Sequence, residues 1–228
     1  VPDPSSGSLG QSGPDLRDGV VEQLSSRIAY ETPWIRVRED DVRWPSGSRG
    51  VYAVVERDDY SLVLPRERDG FWLVEQFRYT VGRRAWEFPA GGWPHGSPGG
   101  DPEALARAEL REETGLRAGR LTHLGRLAEA YGFVSQWVDV FLAEELEHGE
   151  HEREDTEQDM RQQWFADRDV AAMIRSGAIA ETAAVAALAL FWLERGPTGE
   201  ARPREIHTGT QNVGGACKMS VAPARLAE

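Results

Sequence analysis

The sequence predicts an α+β fold, an α/β/α sandwich preceded by an antiparallel strand region. Three observations predict it: short β-rich runs fill the first part of the chain, one central helix signal interrupts them, and a helix pair follows the later strand signals. At roughly 150 residues per domain, the 228 residues make one compact domain with appendages. A content of 40% hydrophobic and 28% charged residues is enough for a real core.

In chain order, Arg27–Tyr30 and Trp34–Asp41 alternate in part, and Pro45-Ser46-Gly47-Ser48 is a turn. Val51–Glu56 and Tyr60–Pro65 are β-rich runs separated by Arg57-Asp58-Asp59, and Phe71–Tyr79 follows the hairpin-like Arg68-Asp69-Gly70. A helix is predicted over Pro102–Thr114, with Asp101 as its cap, Pro102 in its first turn and Gly115 as its stop. Leu121–Leu127, Trp137–Ala143 and Arg161–Phe165 read as strands. The helix pair covers Asp167–Arg175 and the alanine-rich Ile179–Arg195, whose expected buried stripe is Val185, Leu188, Phe191 and Trp192.

The ends differ from this body. Residues 1–19 are rich in Pro, Gly, Ser and Asp and read as a flexible lead-in. Residues 197–228 hold the chain's one lysine (Lys218), one asparagine (Asn212) and one cysteine (Cys217), and read as a disordered tail. Between them, residues 20–50 form the N-terminal strand region and 51–196 the main domain.

Charge and composition exclude several classes. The 26 basic and 38 acidic side chains give a net charge of −12, which repels phosphate backbones and anionic lipid heads. No nucleic-acid or membrane partner is therefore expected. A single cysteine excludes a disulfide framework and a cysteine-rich zinc site. The longest apolar stretch, Ala183–Leu193, is too short to span a bilayer, and the N-terminus lacks a signal peptide's basic start and apolar core. The expectation is a soluble cytoplasmic protein.

Chemistry concentrates in the central helix. At 100° per residue, Glu113 lies about 40° from Glu109 and Glu112 about 60° to the other side, so the three carboxylates share one face. Like charges at this spacing repel, and a hard divalent cation with oxygen ligands, Mg²⁺ or Mn²⁺, would compensate them. Alternatively this is a solvated helix face bridged by Arg107 and Arg111.

The surrounding residues bear on that choice. Ala108-Glu109-Leu110-Arg111-Glu112-Glu113-Thr114-Gly115-Leu116 resembles the second half of the Nudix box, which reads Arg-Glu-apolar-x-Glu-Glu-x-Gly-apolar. Upstream, Trp86-Glu87-Phe88-Pro89-Ala90-Gly91-Gly92 resembles the strand and loop that lead into the box. Val74-Glu75-Gln76-Phe77-Arg78-Tyr79 is similar to the preceding strand of the ADP-ribose pyrophosphatase-like branch. The resemblance runs from about Val51 to Leu193 and implies a Nudix-like sandwich with a mixed sheet. Two positions depart from the box: its arginine is Ala108, and its glutamate eight residues earlier is Gly100. Arg107 and Arg111 are candidates to replace the arginine, which in the family orients the glutamates.

The resemblance implies a hydrolase that cleaves the pyrophosphate bond of ADP-ribose or a related nucleoside diphosphate sugar by metal-activated water attack. Matching positions make Glu109 and Glu113 the main metal ligands, with Glu112 beside them and the Ala90 carbonyl as a further ligand. In this branch the general base comes from an acidic loop, here His151 to Met160; Glu157 is the first candidate, Glu154 the second and Glu112 the fallback. Arg78 and Glu87 match positions facing the nucleotide half, although an edge charge and its partner would look the same. Trp86, Trp93, Tyr131 and Phe133 would form either a base-stacking wall or core, and Tyr131–Ser135 reads as a substrate loop. The branch also implies a homodimer built by the N-terminal strands. The alternative function is a non-catalytic nucleotide-binding or sensor module, which Ala108 and Gly100 favour and the three intact glutamates oppose.

Overall fold

The computed structural model describes residues 21–93, 99–153 and 157–195. Expectations for residues 1–19 and 197–228, and for Glu154, lie outside them. Four strands form an N-terminal sheet: β1 (Glu22–Glu31), β2 (Arg36–Arg43), β3 (Arg49–Glu56) and the two-residue β9 (Val134–Ser135), in the order β1-β2-β3-β9. β1–β3 are antiparallel, and β9 runs parallel to β3. β1 is polar and mostly exposed, and it is tied to β2 by cross-strand ion pairs, Arg43 to Glu22 at 2.8 Å among them. The expected boundary at residue 50 falls inside β3, whose pairing places it with the N-terminal sheet.

The main sheet contains β4 (Tyr60–Glu67), β5 (Gly70–Arg78), β6 (Arg83–Glu87), β7 (Ala90–Gly92), β8 (Arg117–Ala128), β10 (Trp137–Glu147) and β11 (Arg161–Ala166). Its order is β11-β5-β4-β10-β8, with β6 on β5 and β7 on β4. It is mixed: β10 runs parallel to β4 and antiparallel to β8. Because β4 and β10 are covered on both faces, their alternate residues feed two cores. Leu62, Leu64, Val138, Val140 and Leu142 join the core under the C-terminal helices, while Val63, Phe141 and Ala143 join the one under the central helix. Pro65 is tolerated in β4 because its missing N–H points to the same side as that of Val63, which bonds the Pro89 carbonyl beyond the ladder.

Helix α1 spans Pro102–Thr114, as the sequence predicts. The Asp101 carboxylate accepts from the Glu103 N–H, and Gly115 closes the helix in the left-handed region at φ 74°. A Cβ at Gly115 would sit 2.2 Å from the Gly149 carbonyl, so glycine is required on two counts. α2 (Asp167–Ser176) and α3 (Thr182–Arg195) cover the other face and complete the α/β/α sandwich. The buried stripe of α3 differs from expectation. Ala183, Ala184, Ala187, Leu188 and Phe191 are buried, while Val185 and Trp192 are 36% and 43% exposed. The alanine side lets the helix lie close on the sheet, where Leu190 comes within 3.3 Å of where a Cβ would stand on Gly125.

Candidate active site

The C-terminal half of α1, the short strand β7 and the end of β6 bring several acids near one another. Glu113 is 2% exposed, and its Oε2 is buried with no hydrogen-bond partner. One turn earlier, the Glu109 carboxylate rests directly on Gly91, where any Cβ would lie 2.4 Å from Oε1. Only glycine at that place lets β7 approach the helix so closely. Burial, then repulsion from Glu109, Glu157 and Glu87, pushes the Glu113 carboxyl well above the usual carboxylate range; Arg78 opposes this.

Arg78 on β5 and Glu87 on β6 form a two-pronged pair. Arg78 Nε donates to both carboxylate oxygens at 3.0 Å, and Nη2 donates to Oε2 at 2.9 Å. Glu87 is buried, and that burial raises its pKa against the pull of Arg78. Ala90 lies opposite Leu62 at the start of β7, one residue from the Gly91–Glu109 contact. Glu157 stands just before β11 and reaches Glu113 electrostatically. Glu112 is placed differently: its Oε1 accepts from Arg111 at 3.0 Å, and its backbone carbonyl accepts from the Glu152 N–H.

The departures from the box now have structural counterparts. A Cβ on Gly100 would meet the Trp93 ring at 2.7 Å, so an indole lies where the family's glutamate would begin. Neither replacement candidate for the arginine is aimed at the inner acids. Arg107 bonds Glu103 and the Ala118 carbonyl, and Arg111 bonds Glu112. Arg153 takes a nearby position that sequence spacing does not disclose. Its Nε donates to the Glu113 carbonyl at 2.8 Å and its Nη1 to the Met160 carbonyl, joining the end of α1 to the segment that carries Glu157.

A second residue that sequence reasoning misses is Glu181, immediately before α3. Burial, then repulsion from Glu87, with Glu129 adding to it and Arg78 opposing, raises its pKa to about 7. Glu129 in turn accepts from the Tyr60 hydroxyl at 2.7 Å. The aromatic set divides. Trp86 packs edge-on against Phe165 in the core, whereas Trp93 borders Gly100 and Tyr131 and Phe133 stand exposed.

Among the described residues, no group of three or more His, Cys, Asp or Glu side chains is gathered to hold a metal ion as it stands. The donor chemistry nevertheless fits a hard divalent cation. Glu113 Oε2 is buried and unpartnered, and the repulsion from Glu109, Glu157 and Glu87 outweighs the pull of Arg78, so a further positive charge would be favoured there.

A mixed sheet between helices, with an acid-bearing helix set against the short Gly-rich strand β7, defines an α+β sandwich whose acids collect at one end of its central helix. Comparison with known proteins makes the class specific. Residues 50–184 match the NUDIX domain, and residues 21–55 match the nucleoside diphosphate sugar hydrolase N-terminal domain. The chain belongs to the Nudix family. It is 34% identical over 189 residues to an ADP-ribose pyrophosphatase of Mycobacterium tuberculosis, covering 82% of this chain and 89% of that one. A Bacillus subtilis ADP-ribose pyrophosphatase is 37% identical over 116 residues, covering 50% of this chain and 61% of the relative. A solved structure described as an ADP compounds hydrolase shares the fold, with a TM-score of 0.67 at 22% identity, over 75% of this chain and 91% of that one.

Proposed function

We propose that this protein is a metal-dependent pyrophosphohydrolase that cleaves the diphosphate of ADP-ribose or a related nucleoside diphosphate sugar. The observation that carries the reading is the buried, unpartnered Glu113 oxygen, which feels the charges of Glu109, Glu157 and Glu87. Family membership and the similarity to two ADP-ribose pyrophosphatases support the substrate class.

Glu109 and Glu113 would hold Mg²⁺ or Mn²⁺, with the Ala90 carbonyl as a further donor and Glu112 at the rim. When bound, the cation supplies positive charge at the phosphoryl oxygens and lowers the pKa of water. The remaining work falls to this chain's own groups. Glu157 is the base that takes the proton from the attacking water, because it reaches Glu113 electrostatically while Glu112 pairs with Arg111 on the outer side. The water oxygen bonds to one phosphorus as the bridging P–O bond breaks, so ADP-ribose yields AMP and ribose 5-phosphate. Arg78, fixed by Glu87, presents its charge to the nucleotide half. Arg153 positions Glu113 and Glu157 relative to each other through the backbone.

The N-terminal sheet supports a homodimer, since Trp34 in its β1–β2 turn and Ile28, Tyr30 and Val51 on its two faces are left exposed. A small-molecule substrate in a cytoplasmic setting, without nucleic-acid or membrane partners, suits the net charge of −12. No described helix is long and apolar enough to cross a membrane.

The test is turnover of ADP-ribose with Mg²⁺ and with Mn²⁺, followed by chromatography of AMP. Glu113→Gln and Glu157→Gln are each expected to lower kcat by about 100-fold or more with the fold intact. Full activity in Glu113→Gln would end the assignment.

A further inference from the structure

A cavity of about 450 Å³ opens at the start of α1, and none of the acids discussed above lines it. It is nonetheless one step from them along three elements. On α1, Leu105 lines the cavity and Glu109 follows one turn later on the same face. On β7, Gly91 touches Glu109, and Trp93 of the cavity is two residues further on. On β4, Ser61 lines the cavity directly opposite Gly91. A molecule with its phosphates at Glu109 therefore has this space beside its next group.

The chemistry of the lining narrows what that group is. Trp93 is held against Gly100, which presents a fixed indole surface. Two carboxylates are fixed in advance. Asp59 accepts from the Trp137 N–H at 2.8 Å and from Arg126, while buried Asp139 pairs with His123 at 2.9 Å. With Asp58, the cavity has three carboxylates against the two guanidinium groups of Arg57 and Arg126. That excess of negative charge opposes a further phosphate. Carboxylates and guanidinium groups together accept from and donate to neutral hydroxyls, and an aromatic face suits the C–H surface of a ring.

We infer that this cavity receives the neutral sugar attached to the far phosphate of the substrate, and that Trp93 with the aspartates selects for it. The inference rests on the hydrolase reading and adds a location for the sugar half.

The test is calorimetric binding in EDTA, so that no turnover intervenes, with ADP-ribose, ADP-glucose and AMP as the probes. Wild type is compared with Trp93→Ala and with Asp58→Asn, the latter an exposed position that spares the fold. Both variants are expected to lose about 10-fold or more in affinity for the two sugar-bearing ligands and to keep wild-type affinity for AMP. If all three ligands weaken together, or none does, the inference is overturned. Should Trp93→Ala fail to fold, Asp58→Asn alone decides by the same criterion. A wild type that binds selectively yet, with Mg²⁺ or Mn²⁺ restored, hydrolyses neither sugar compound defeats the hydrolase reading and leaves the cavity judged on the binding ratios. A wild type that binds none of them overturns the cavity inference, while turnover measured separately with Mg²⁺ decides the hydrolase reading.

Discussion

Glu181 illustrates how one side chain couples the site to pH. Its pKa is raised from 4.5 to about 7, chiefly by burial and then by Glu87. A carboxyl raised on folding holds a proton that the unfolded chain releases. Its contribution to stability is present at low pH and is lost as pH rises through the folded value. The melting temperature of the metal-free protein is therefore expected to fall between about pH 5 and pH 8, and Glu181→Gln to flatten that fall. Glu181 as a residue is exposed, more than a third of its surface open to water, so solvent screening makes the effect much smaller than the shift by itself implies. A variant that keeps the wild-type slope in thermal scans would show that Glu181 is not the group responsible. Gly91 acts at the same scale by a different means: its missing side chain is the space that the Glu109 carboxylate fills.

At the scale of elements, α1 is held at both ends and stapled at its C-terminus. Asp101 caps it, and Arg153 grips the Glu113 carbonyl at 2.8 Å. Gly115 is the most demanding position, with φ at 74° and the Gly149 carbonyl 2.2 Å from where a Cβ would stand. Gly115→Ala is expected to destabilise the protein by at least about 1–3 kcal/mol from backbone strain. Urea unfolding would register this as a lower midpoint, and an unchanged midpoint would contradict the close approach. Helix α3 is fixed by shape instead, since small side chains at Ala183, Ala184 and Ala187 set its distance from the sheet.

Across the whole molecule, the two sheets have different characters. The main sheet is covered by helices on both faces, whereas the N-terminal sheet carries exposed Ile28, Tyr30, Trp34 and Val51. By register Ile28 lies on one face of this sheet and Tyr30 and Val51 on the other, so a second copy would have to engage the sheet around its β1–β2 end, with about 1,200 Å² or more buried in total for a stable interface. Sedimentation at micromolar concentration is expected to give a dimer, and Trp34→Asp combined with Ile28→Asp to shift it toward monomer. A wild type that sediments only as monomer would refute this arrangement.

The amino-acid order alone determined the strand signals, the bounds of α1 and the spacing that puts three glutamates along one stripe. These follow from local rules: a cap, a stop and a fixed angle per residue. It also located the Pro89-Ala90-Gly91-Gly92 segment, read as a loop and found as the short strand β7 on β4, and the departures at Ala108 and Gly100. Tertiary structure decided which acids meet. Glu113 turns inward while Glu112 stays with Arg111, and Arg153 and Glu181 arrive from segments 40 and 68 residues beyond Glu113. It also decided that α3 buries its alanines instead of Val185 and Trp192. Periodicity fixes the angles between side chains on one helix, but burial and charge depend on what the rest of the chain packs against it, and no local pattern encodes that.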